Sequence, residues 1–376
     1  MSQKTILLIA GYPNSLLNFR GPLLRALLDK GLEVHVAAPD LPVKSKVRHE
    51  LEDMGVIVHE VFLIRTSLNP LKDIVTLIQL YRLMSKIKPQ FSFGYTIKPV
   101  IYGTLAAWFT GVPYRFALIT GLGYSFQGMS GQRSFLKKIV LNFYRLAIGK
   151  ANKVFFQNPD DEALFQSLDI IKPSDQKTVV INGSGIDLSL FSVAPLPRTT
   201  EFLLIARLLG DKGIREYVKA ATLVRQHYHD VRFGLVGWID ENPDAIDENE
   251  LQQWIESGDV QFYGHLDDVK PAIASCSVYV LPSYREGTPR TVLEAMAMGR
   301  PIITTDAPGC RETVVDGDNG FLVPVKAIDE LVVAMLKFVE QPGLVSRMGE
   351  RSRLIAEEKY DVNKVNEHML MEMGLK

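Results

Sequence analysis

Runs of apolar, often β-branched residues alternate along the first half of the chain with segments in which apolar residues recur every three or four positions. Thr5–Ala10 predicts a strand. Ser15–Leu28 then predicts a helix, because its leucines fall on one helical face, and this helix should end before Gly31. Val34–Ala38 predicts the next strand. This alternation is typical of a parallel, doubly wound sheet.

The same alternation continues through the first half of the chain. A helical segment over Ile74–Ile87 should end before Pro89, since proline cannot continue the helical hydrogen bonding. Further strands are predicted at Phe91–Gly94, Tyr114–Ile119 and Val154–Phe156, and further helices after Pro99 and over the basic segment Arg133–Lys153.

Residues 181–198 interrupt the pattern, because this segment contains the sequence NGSG and two prolines, Pro195 and Pro197. The last helical segment, Val362–Met373, is long enough to return to the first half of the chain. The predicted division is an N-terminal domain over 1–180, a linker over 181–198, a C-terminal domain over 199–360, and a helix over 361–376 that crosses back to the N-terminal domain.

The α/β alternation resumes after the linker. The predicted strands are Phe202–Ala206, Arg232–Val236, Val260–Phe262, Ser277–Leu281, Pro301–Thr304 and Phe321–Val323, and the predicted helices are Gly213–Tyr228, one within Asp244–Glu256, and Pro289–Met298. Both halves therefore predict an α/β fold with a Rossmann-like, parallel and doubly wound sheet.

The composition, with 47% apolar and 23% charged residues, excludes disordered, collagen-like and coiled-coil proteins. No apolar run approaches the roughly 20 residues of a membrane-spanning helix, and the first apolar run is too short for a signal peptide. We therefore expect a cytoplasmic protein. Cys276 and Cys310 are too few for a disulfide framework and lack metal-ligand spacing, so we expect reduced structural thiols.

Charge is unevenly distributed, although the net charge is only −1. Residues 1–180 contain 22 Lys and Arg against 13 Asp and Glu, and no acidic residue occurs between Asp73 and Asp160. A basic tract of this length indicates a polyanionic partner. Nucleic acid is disfavoured, because no DNA- or RNA-binding motif accompanies the tract.

The predicted helix over Arg133–Lys153 has apolar residues on both faces. Its basic face includes Arg133, Lys137, Lys138 and Arg145. Such a helix is suited to lie on an anionic membrane, where each cation near the surface contributes about 1 kcal/mol. We therefore predict peripheral attachment to the inner face of the cytoplasmic membrane; the alternative is a core helix with an ordinary solvated face.

The stretch Tyr284–Val323 contains the most informative motif. A helix is predicted after a strand and a loop, with Thr288 as its N-cap and Pro289 as its first residue. Gly299 should end it in the left-handed conformation. The free N–H groups of the first turn would face the carboxyl end of the sheet, a place that suits a diphosphate.

Two carboxylates accompany this helix. Glu286 lies on the loop before it, and Glu294 lies about one and a half turns inside it, with its side chain leaning toward the N-terminus. One carboxylate can therefore meet sugar hydroxyls and the other ribose hydroxyls. Either glutamate alone would be read as a solvated acid, whereas the pair in this setting indicates a binding site.

Two cations occur at the equivalent place in the first strand–helix unit of the C-terminal half. The strand Phe202–Ala206 leads to Arg207 at its carboxyl edge, and Lys212 follows in a glycine-flanked loop before a helix. Both side chains can reach one anionic ligand. Scattered surface cations beside glycine turns are the alternative interpretation.

Glu286 and Glu294, with seven residues between them and GRPIITTDAPGCRETV after them, closely resemble the signature of retaining glycosyltransferases of family 4 with the GT-B fold. The resemblance implies two Rossmann-like domains that face each other across a cleft, with a nucleotide-sugar donor on the C-terminal domain and an acceptor on the N-terminal domain. It also implies that Glu294 binds ribose and that Glu286 contacts the donor sugar.

By the same resemblance, Arg207 and Lys212 hold the donor diphosphate and stabilise the charge on the leaving UDP. We therefore assign catalysis to Glu286, Arg207 and Lys212. Further predicted donor-binding residues are Thr288, Arg290 and Gly11.

The sequence Asp316–Gly317–Asp318 has the D-x-D pattern that metal-dependent transferases use. It lies between two strand-like runs and reads as a turn. Because two cations are available for the diphosphate, we expect that no divalent metal or other cofactor is required.

The N-terminal domain resembles the family less closely. Many family 4 enzymes have a histidine after the fourth strand, whereas this chain has Thr96 and Lys98 there; we expect these two residues and Tyr124 on the acceptor side. The segments YTIKPVIYG and ITGLGYSFQG resemble a bacterial subgroup that adds N-acetylhexosamines to undecaprenyl-diphosphate-linked sugars of O-antigen, capsule or protein glycan. No G-x-G-x-x-G occurs, so a nicotinamide cofactor is disfavoured.

These observations predict a glycosyltransferase that moves a sugar, such as GalNAc or GlcNAc, from a UDP-sugar to a lipid-diphosphate-linked saccharide. Two alternatives remain open. The first is a family 4 glycosyltransferase with a soluble acceptor, and the second is a catalytically silent GT-B assembly subunit.

Overall fold

A computed structural model describes residues 3–64, 70–121, 132–172, 174–240 and 242–375. The chain forms two compact units, one comprising Met1–Ser184 with Val365–Lys376 and the other Gly185–Lys364. Residues 185–198, which were predicted as part of the linker, belong to the second unit, where Ile186 and Phe191 are buried in the core.

In the first unit, parallel strands form one seven-stranded sheet in the order β3-β2-β1-β4-β5-β6-β7. The strands are β1 (Thr5–Ile9), β2 (Glu33–Ala38), β3 (Ile57–Glu60), β4 (Phe91–Tyr95), β5 (Tyr114–Ile119), β6 (Lys153–Phe156) and β7 (Thr178–Val180). The helices are α1 (Asn14–Asn18), α2 (Gly21–Asp29), α3 (Lys46–Asp53), α4 (Pro70–Ile87), α5 (Thr104–Phe109), α6 (Gln132–Lys150) and α7 (Pro159–Ser167).

In the second unit, parallel strands form a six-stranded sheet in the order β10-β9-β8-β11-β12-β13. The strands are β8 (Glu201–Ile205), β9 (Arg232–Val236), β10 (Gln261–Phe262), β11 (Val278–Leu281), β12 (Ile302–Thr305) and β13 (Gly320–Val323). The helices are α8 (Ile214–Arg225), α9 (Glu248–Glu256), α10 (Lys270–Ser275), α11 (Arg290–Ala297), α12 (Ile328–Glu340) and α13 (Gly343–Lys359). The last helix, α14 (Val362–Glu372), begins in the second unit and belongs to the first unit from Val365 onward.

The structure confirms the predicted α/β fold with two parallel sheets. Helices cover both faces of each sheet, so β1 and β8 are buried at every residue. From Val365 onward α14 belongs to the first unit, and Val365 and Met369 are buried in that unit's core. Cys276 and Cys310 are buried free thiols, and burial raises the pKa of each to about 12.

The helix predicted over Ser15–Leu28 is wrong as a single element, because the chain breaks between α1 and α2. Pro22 explains the break. It has no N–H to donate to the carbonyl of Asn18, and its ring would clash with that carbonyl in a continuous helix.

The strand orders define where ligands can bind. In the first unit the chain leaves β1 and β4 toward opposite edges of the sheet, and in the second unit it leaves β8 and β11 in the same way. Open α/β sheets bind ligands beyond the carboxyl ends of the two strands at such a reversal. The loops that follow β1, β4, β8 and β11 are therefore the places to look for a site.

Candidate active site

The loops after β8 and β11 meet at the strand reversal of the second unit. The N–H of Tyr284 donates to the carbonyl of Asp211 at 2.8 Å. Gly213 has a φ of +71°, and a Cβ at this position would lie 2.2 Å from the carbonyl oxygen of Pro282. Only glycine therefore lets the loop that carries the two predicted cations approach the end of β11 so closely.

Lys212 and Glu286 form an ion pair between these loops. The Nζ of Lys212 lies 2.6 Å from Oε1 of Glu286, and the two side chains are only 14% and 16% exposed. Burial by itself lowers the pKa of Lys212, but Glu286 and Asp211 outweigh it, so that the pKa is raised. The ammonium group therefore remains charged at neutral pH.

Arg207, the second predicted cation, pairs with a carboxylate that the sequence analysis did not identify. Its Nη1 donates to Oδ2 of Asp240 at 2.7 Å. Both residues that are predicted to bind the diphosphate thus lie at the carboxyl edge of the sheet, and each has a carboxylate partner.

The loop that carries Glu286 packs closely against the backbone of the segment that follows β12. The N–H of Glu286 donates to the carbonyl of Pro308 at 2.9 Å. Gly309 has a φ of +80°, and a Cβ there would lie 2.2 Å from the carbonyl oxygen of Glu286. The backbone of Glu286 is therefore fixed by the segment after β12.

Helix α11 begins one residue later than predicted. Its N-cap is Pro289, not Thr288, and its first residue is Arg290. Pro289 itself has an extended backbone, with φ −73° and ψ 110°, so it takes the N-cap position and the helical turn starts at the residue after it. At the other end, Gly299 has a φ of +76°, as predicted for a left-handed stop.

Glu294 is buried inside α11 and is 7% exposed. Its Oε1 accepts a hydrogen bond from Nε of Arg290, one turn earlier, at 2.9 Å. Burial raises the pKa of Glu294 above its ordinary value, and Arg290 opposes this shift. The two predicted donor-binding residues of this helix therefore contact each other.

The D-x-D sequence forms part of a turn. Oδ1 of Asp316 accepts a hydrogen bond from the N–H of Leu322 at 2.9 Å, and Asp318 pairs with Arg351. Within the described ranges, no group of three or more His, Cys, Asp or Glu is arranged to hold a metal ion.

In the first unit, Gly11 and Thr96 lie side by side where β1 and β4 end. A Cβ on Gly11 would lie 3.2 Å from Oγ1 of Thr96. Thr96 has a φ of +68°, which is an unusual conformation for a β-branched residue. Such strain is found mainly at functional sites. Tyr124, the third predicted acceptor-side residue, lies outside the described residues.

Lys98 is buried two residues after Thr96 and is 8% exposed. Its Nζ donates to Oδ1 of Asp73 at 2.5 Å, and the hydroxyl of Tyr102 donates to Oδ2 of the same carboxylate at 2.8 Å. Tyr102 belongs to the π-helix Pro99–Gly103 that precedes α5. The sequence analysis missed this network, because its members are distant in sequence and carry no motif.

The predicted membrane-facing residues fall on α6. Lys138 is exposed. Arg145 is exposed too, but its guanidinium donates to the carbonyls of Leu168 and Asp169 just after α7. The side chains of Arg133 and Lys137 lie outside the described part of the chain. None of the helices in the described ranges has the length and hydropathy of a bilayer-spanning segment.

Two family models match the chain. Residues 6–158 match the model described as "Glycosyl transferase 4-like", and residues 199–341 match "Glycosyl transferases group 1". The two matched regions lie in the first and the second unit.

Two curated relatives and one solved structure are similar to the chain. N,N'-diacetylbacillosaminyl-diphospho-undecaprenol alpha-1,3-N-acetylgalactosaminyltransferase from Campylobacter jejuni is 31% identical over 84% of each chain. UDP-Gal:alpha-D-GlcNAc-diphosphoundecaprenol alpha-1,3-galactosyltransferase from Escherichia coli is 25% identical over 73% of this chain and 72% of its own. HepE from Anabaena, solved in complex with UDP, has a TM-score of 0.78 at 18% identity over 99% of this chain and 100% of its own.

The first relative is similar enough, over enough of its length, to show the family, and the structural likeness agrees with the GT-B fold. The chain therefore belongs to the group 1, family 4-like glycosyltransferases, and it is an enzyme of that kind.

Proposed function

We propose that this glycosyltransferase moves an N-acetylhexosamine from its UDP derivative to a saccharide linked to undecaprenyl diphosphate, with retention at the anomeric carbon. The names of the two curated relatives support both substrates, since each specifies an undecaprenol-linked diphosphate acceptor and one specifies a UDP-sugar donor. Retention follows from the resemblance to family 4.

The arrangement of Arg207 and Lys212 is the observation that carries the proposal. During transfer the bond between the anomeric carbon and UDP breaks, and negative charge grows on the departing diphosphate. Two cations at the strand reversal can stabilise that charge, and removal of one such group typically costs about a hundred- to thousandfold in rate. No metal ion or other cofactor has a role in this proposal.

The carboxylates have separate tasks. Glu294, inside α11 and in contact with Arg290, is placed to accept hydrogen bonds from the ribose hydroxyls. Glu286, on the loop before α11, is placed for the donor sugar and holds Lys212. Thr288 and the N–H groups at the start of α11 would meet the diphosphate.

We assign the acceptor side to the end of β4. The charge of Lys98 is already balanced by Asp73, so the strained Thr96 beside Gly11 is the better candidate for direct contact with the acceptor saccharide. Lys98 then keeps the turn at Thr96 in place.

The lipid-linked acceptor requires contact with a membrane, which we assign to the outer surface of α4, α5 and α6. Large apolar side chains are exposed on all three helices; they are Ile74, Val75, Ile78 and Tyr81 on α4, Trp108 and Phe109 on α5, and Phe143 and Leu146 on α6. The hydroxyl of Tyr102 donates to Asp73 on α4. The ring centres of Tyr102 and Phe143 are 6.5 Å apart.

Basic residues accompany these apolar side chains. Arg82, Lys86 and Lys138 are exposed, and the ammonium group of Lys150 lies 4.2 Å from the ring centre of Trp108. No acidic residue occurs between Asp73 and Asp160. Exposed apolar side chains among cations are the composition that binds an anionic bilayer.

The experiment is a transfer assay with the purified protein, a polyprenyl-diphosphate-linked N-acetylhexosamine and each of four donors: UDP-GalNAc, UDP-GlcNAc, UDP-glucose and GDP-mannose. We expect a product from a UDP-N-acetylhexosamine, with the α-linkage visible in its NMR coupling constants. Arg207→Ala serves as the control with reduced activity. Transfer only to free sugars would indicate a soluble acceptor, and binding of UDP without any transfer would indicate a silent assembly subunit.

A further inference from the structure

The loop that carries Arg207 and Lys212 is held by a segment that the proposed function has not used. This segment, Trp238–Asp240 with Asn242–Ile246, follows β9, and we call it the donor frame. The N–H of Leu208 donates to the carbonyl of Trp238, and the N–H of Ile246 donates to the carbonyl of Leu208, each at 2.9 Å.

The donor frame also fixes the residues next to Lys212. The N–H of Gly210 donates to the carbonyl of Asp244 at 2.8 Å, and the N–H of Asp211 donates to the carboxylate of Asp244 at 2.8 Å. The loop that carries the two cations is therefore bonded along its length to one neighbouring segment.

Within the donor frame, Asp240 acts directly on Arg207. One carboxylate oxygen of Asp240 accepts from the N–H of Asn242 at 3.0 Å, and the other accepts from Nη1 of Arg207 at 2.7 Å. The carboxylate is thus fixed from one side while it holds the guanidinium from the other. Nε and Nη2 of Arg207 make no hydrogen bond to any residue that the structure describes.

We propose that Asp240 is a positioning residue for Arg207, and that it orients the guanidinium so that its remaining N–H groups are in place when the donor diphosphate arrives. This inference rests on the proposed function, since it requires Arg207 to act on a diphosphate. Donors that are already oriented stabilise developing charge without reorganisation during the reaction. A free arginine side chain would have to lose its conformational freedom at that moment.

The proposal separates turnover from donor affinity. In Asp240→Asn and Asp240→Ala we expect kcat to fall about ten- to hundredfold, because misplaced catalytic groups cost that much. UDP affinity should remain nearly unchanged, since the loss of positioning is offset by the loss of repulsion between the Asp240 carboxylate and the diphosphate. Thermal stability should also be unchanged, because the ion pair is partly exposed and such pairs contribute little to stability.

Three further variants make the test specific. Asp240→Glu keeps a carboxylate and should recover part of kcat. Asp230→Asn removes an exposed carboxylate from the same unit and should have no effect. In an Arg207→Ala background, Asp240→Asn should cause no further loss, because Asp240 acts through Arg207.

The proposal is wrong if Asp240→Asn has the turnover of the wild type, or if it lowers turnover equally in the Arg207→Ala background. It is also wrong if kcat and thermal stability fall together and Asp240→Glu restores neither. A wild-type protein that neither binds UDP nor transfers a sugar would instead contradict the proposed function itself.

Discussion

The ammonium group of Lys212 and the carboxylate of Glu286 are 2.6 Å apart, although 74 residues separate them in the sequence. Each neutralises the other inside a site where both are largely shielded from water. Under the proposed function, a donor diphosphate would share Lys212 with Glu286, and the donor sugar would contact a carboxylate that already has a partner. The two residues act as a unit, so a change in one alters the other.

The first prediction concerns this pair. Lys212→Met should lower the transfer rate at least tenfold, and it should also destabilise the protein by about 3 kcal/mol, because Glu286 keeps a shielded charge without its ammonium partner. Adding Glu286→Gln should recover much of the stability and none of the activity. Thermal unfolding and transfer rates of both variants test this, and unchanged stability of Lys212→Met would contradict it.

The second prediction is that replacing Arg207, unlike replacing Lys212, lowers activity without lowering stability. Its side chain is 33% exposed, so Arg207→Ala should leave the unfolding temperature nearly unchanged. The same variant should lose at least tenfold in kcat/KM, because it removes a group that we assign to the leaving diphosphate. Steady-state kinetics and calorimetry on one preparation test both parts. Turnover equal to that of the wild type would refute the role of Arg207.

The buried carboxyl group of Glu294 should make the stability of the protein depend on pH. Burial raises its pKa in the folded state, so the folded protein binds this proton more tightly than the unfolded chain does. The resulting stabilisation is complete below the unfolded pKa of about 4.3, and it is lost as the pH rises through the raised folded value. At pH 7.5, Glu294→Gln should therefore unfold at the same temperature as the wild type or higher.

Glu294→Gln should bind UDP about tenfold more weakly than the wild type. A hydrogen bond to a charged group is worth about 1.5 to 3 kcal/mol, and glutamine keeps part of that free energy. Unfolding curves between pH 5 and 8 should show the stability difference shrinking toward acid pH. Calorimetric titration with UDP measures the second effect. Wild-type UDP affinity in this variant would mean that Glu294 does not contact the nucleotide.

Metal dependence is tested by chelation. Because we assign the diphosphate to two side-chain cations, the transfer rate should be the same with EDTA and with added magnesium. As a control, Asp316→Asn should not create or remove any metal effect, since this carboxylate accepts a bond from the N–H of Leu322. Loss of activity in EDTA that magnesium restores would overturn the assignment.

Membrane attachment is tested on α4 and α6. Arg82→Glu with Lys138→Glu removes two exposed cations, worth together about 2 kcal/mol or roughly thirtyfold in binding to anionic vesicles. Arg145 is unsuitable for this purpose, because it also bonds to the carbonyls after α7. Co-sedimentation with vesicles that contain anionic lipid measures the loss, and wild-type binding should weaken as salt rises.

A matched variant separates apolar from electrostatic attachment. Ile78→Ser with Phe143→Ser removes two exposed apolar side chains and should weaken binding without changing its salt dependence. UDP affinity should be unchanged in both double variants, because the donor site belongs to the other unit. Unaltered co-sedimentation of both would show that this surface does not meet the bilayer.

The sequence predicted what local patterns determine. The strands at Tyr114–Ile119 and Arg232–Val236 have the predicted limits, because continuous apolar runs mark buried parallel strands. Pro22 marks the helix break in the sequence, whereas the leucine periodicity predicts one continuous helix over Ser15–Leu28. A conflict of this kind between a proline and a periodic pattern is better resolved in favour of the proline.

The contacts within the candidate site could not be predicted in the same way. Asp240 reaches Arg207 across 33 residues, and Asp73 reaches Lys98 across 25. Such pairs depend on how loops from different strands pack, and no spacing along the chain encodes that. Asp240, Asn242 and Asp244, at alternate positions after β9, did carry a signal, because Asp and Asn favour turns bonded to their own backbone.

The close approach at Gly309 has a consequence for engineering. Since its backbone touches the carbonyl of Glu286, the loop before α11 and the segment after β12 behave as one exchangeable module. A transplant of the Glu286 loop from another enzyme, made to alter donor choice, would separate the two backbones unless residues 306–310 were transplanted with it. We therefore expect that a change of donor specificity made through the Glu286 loop requires both segments to be replaced together.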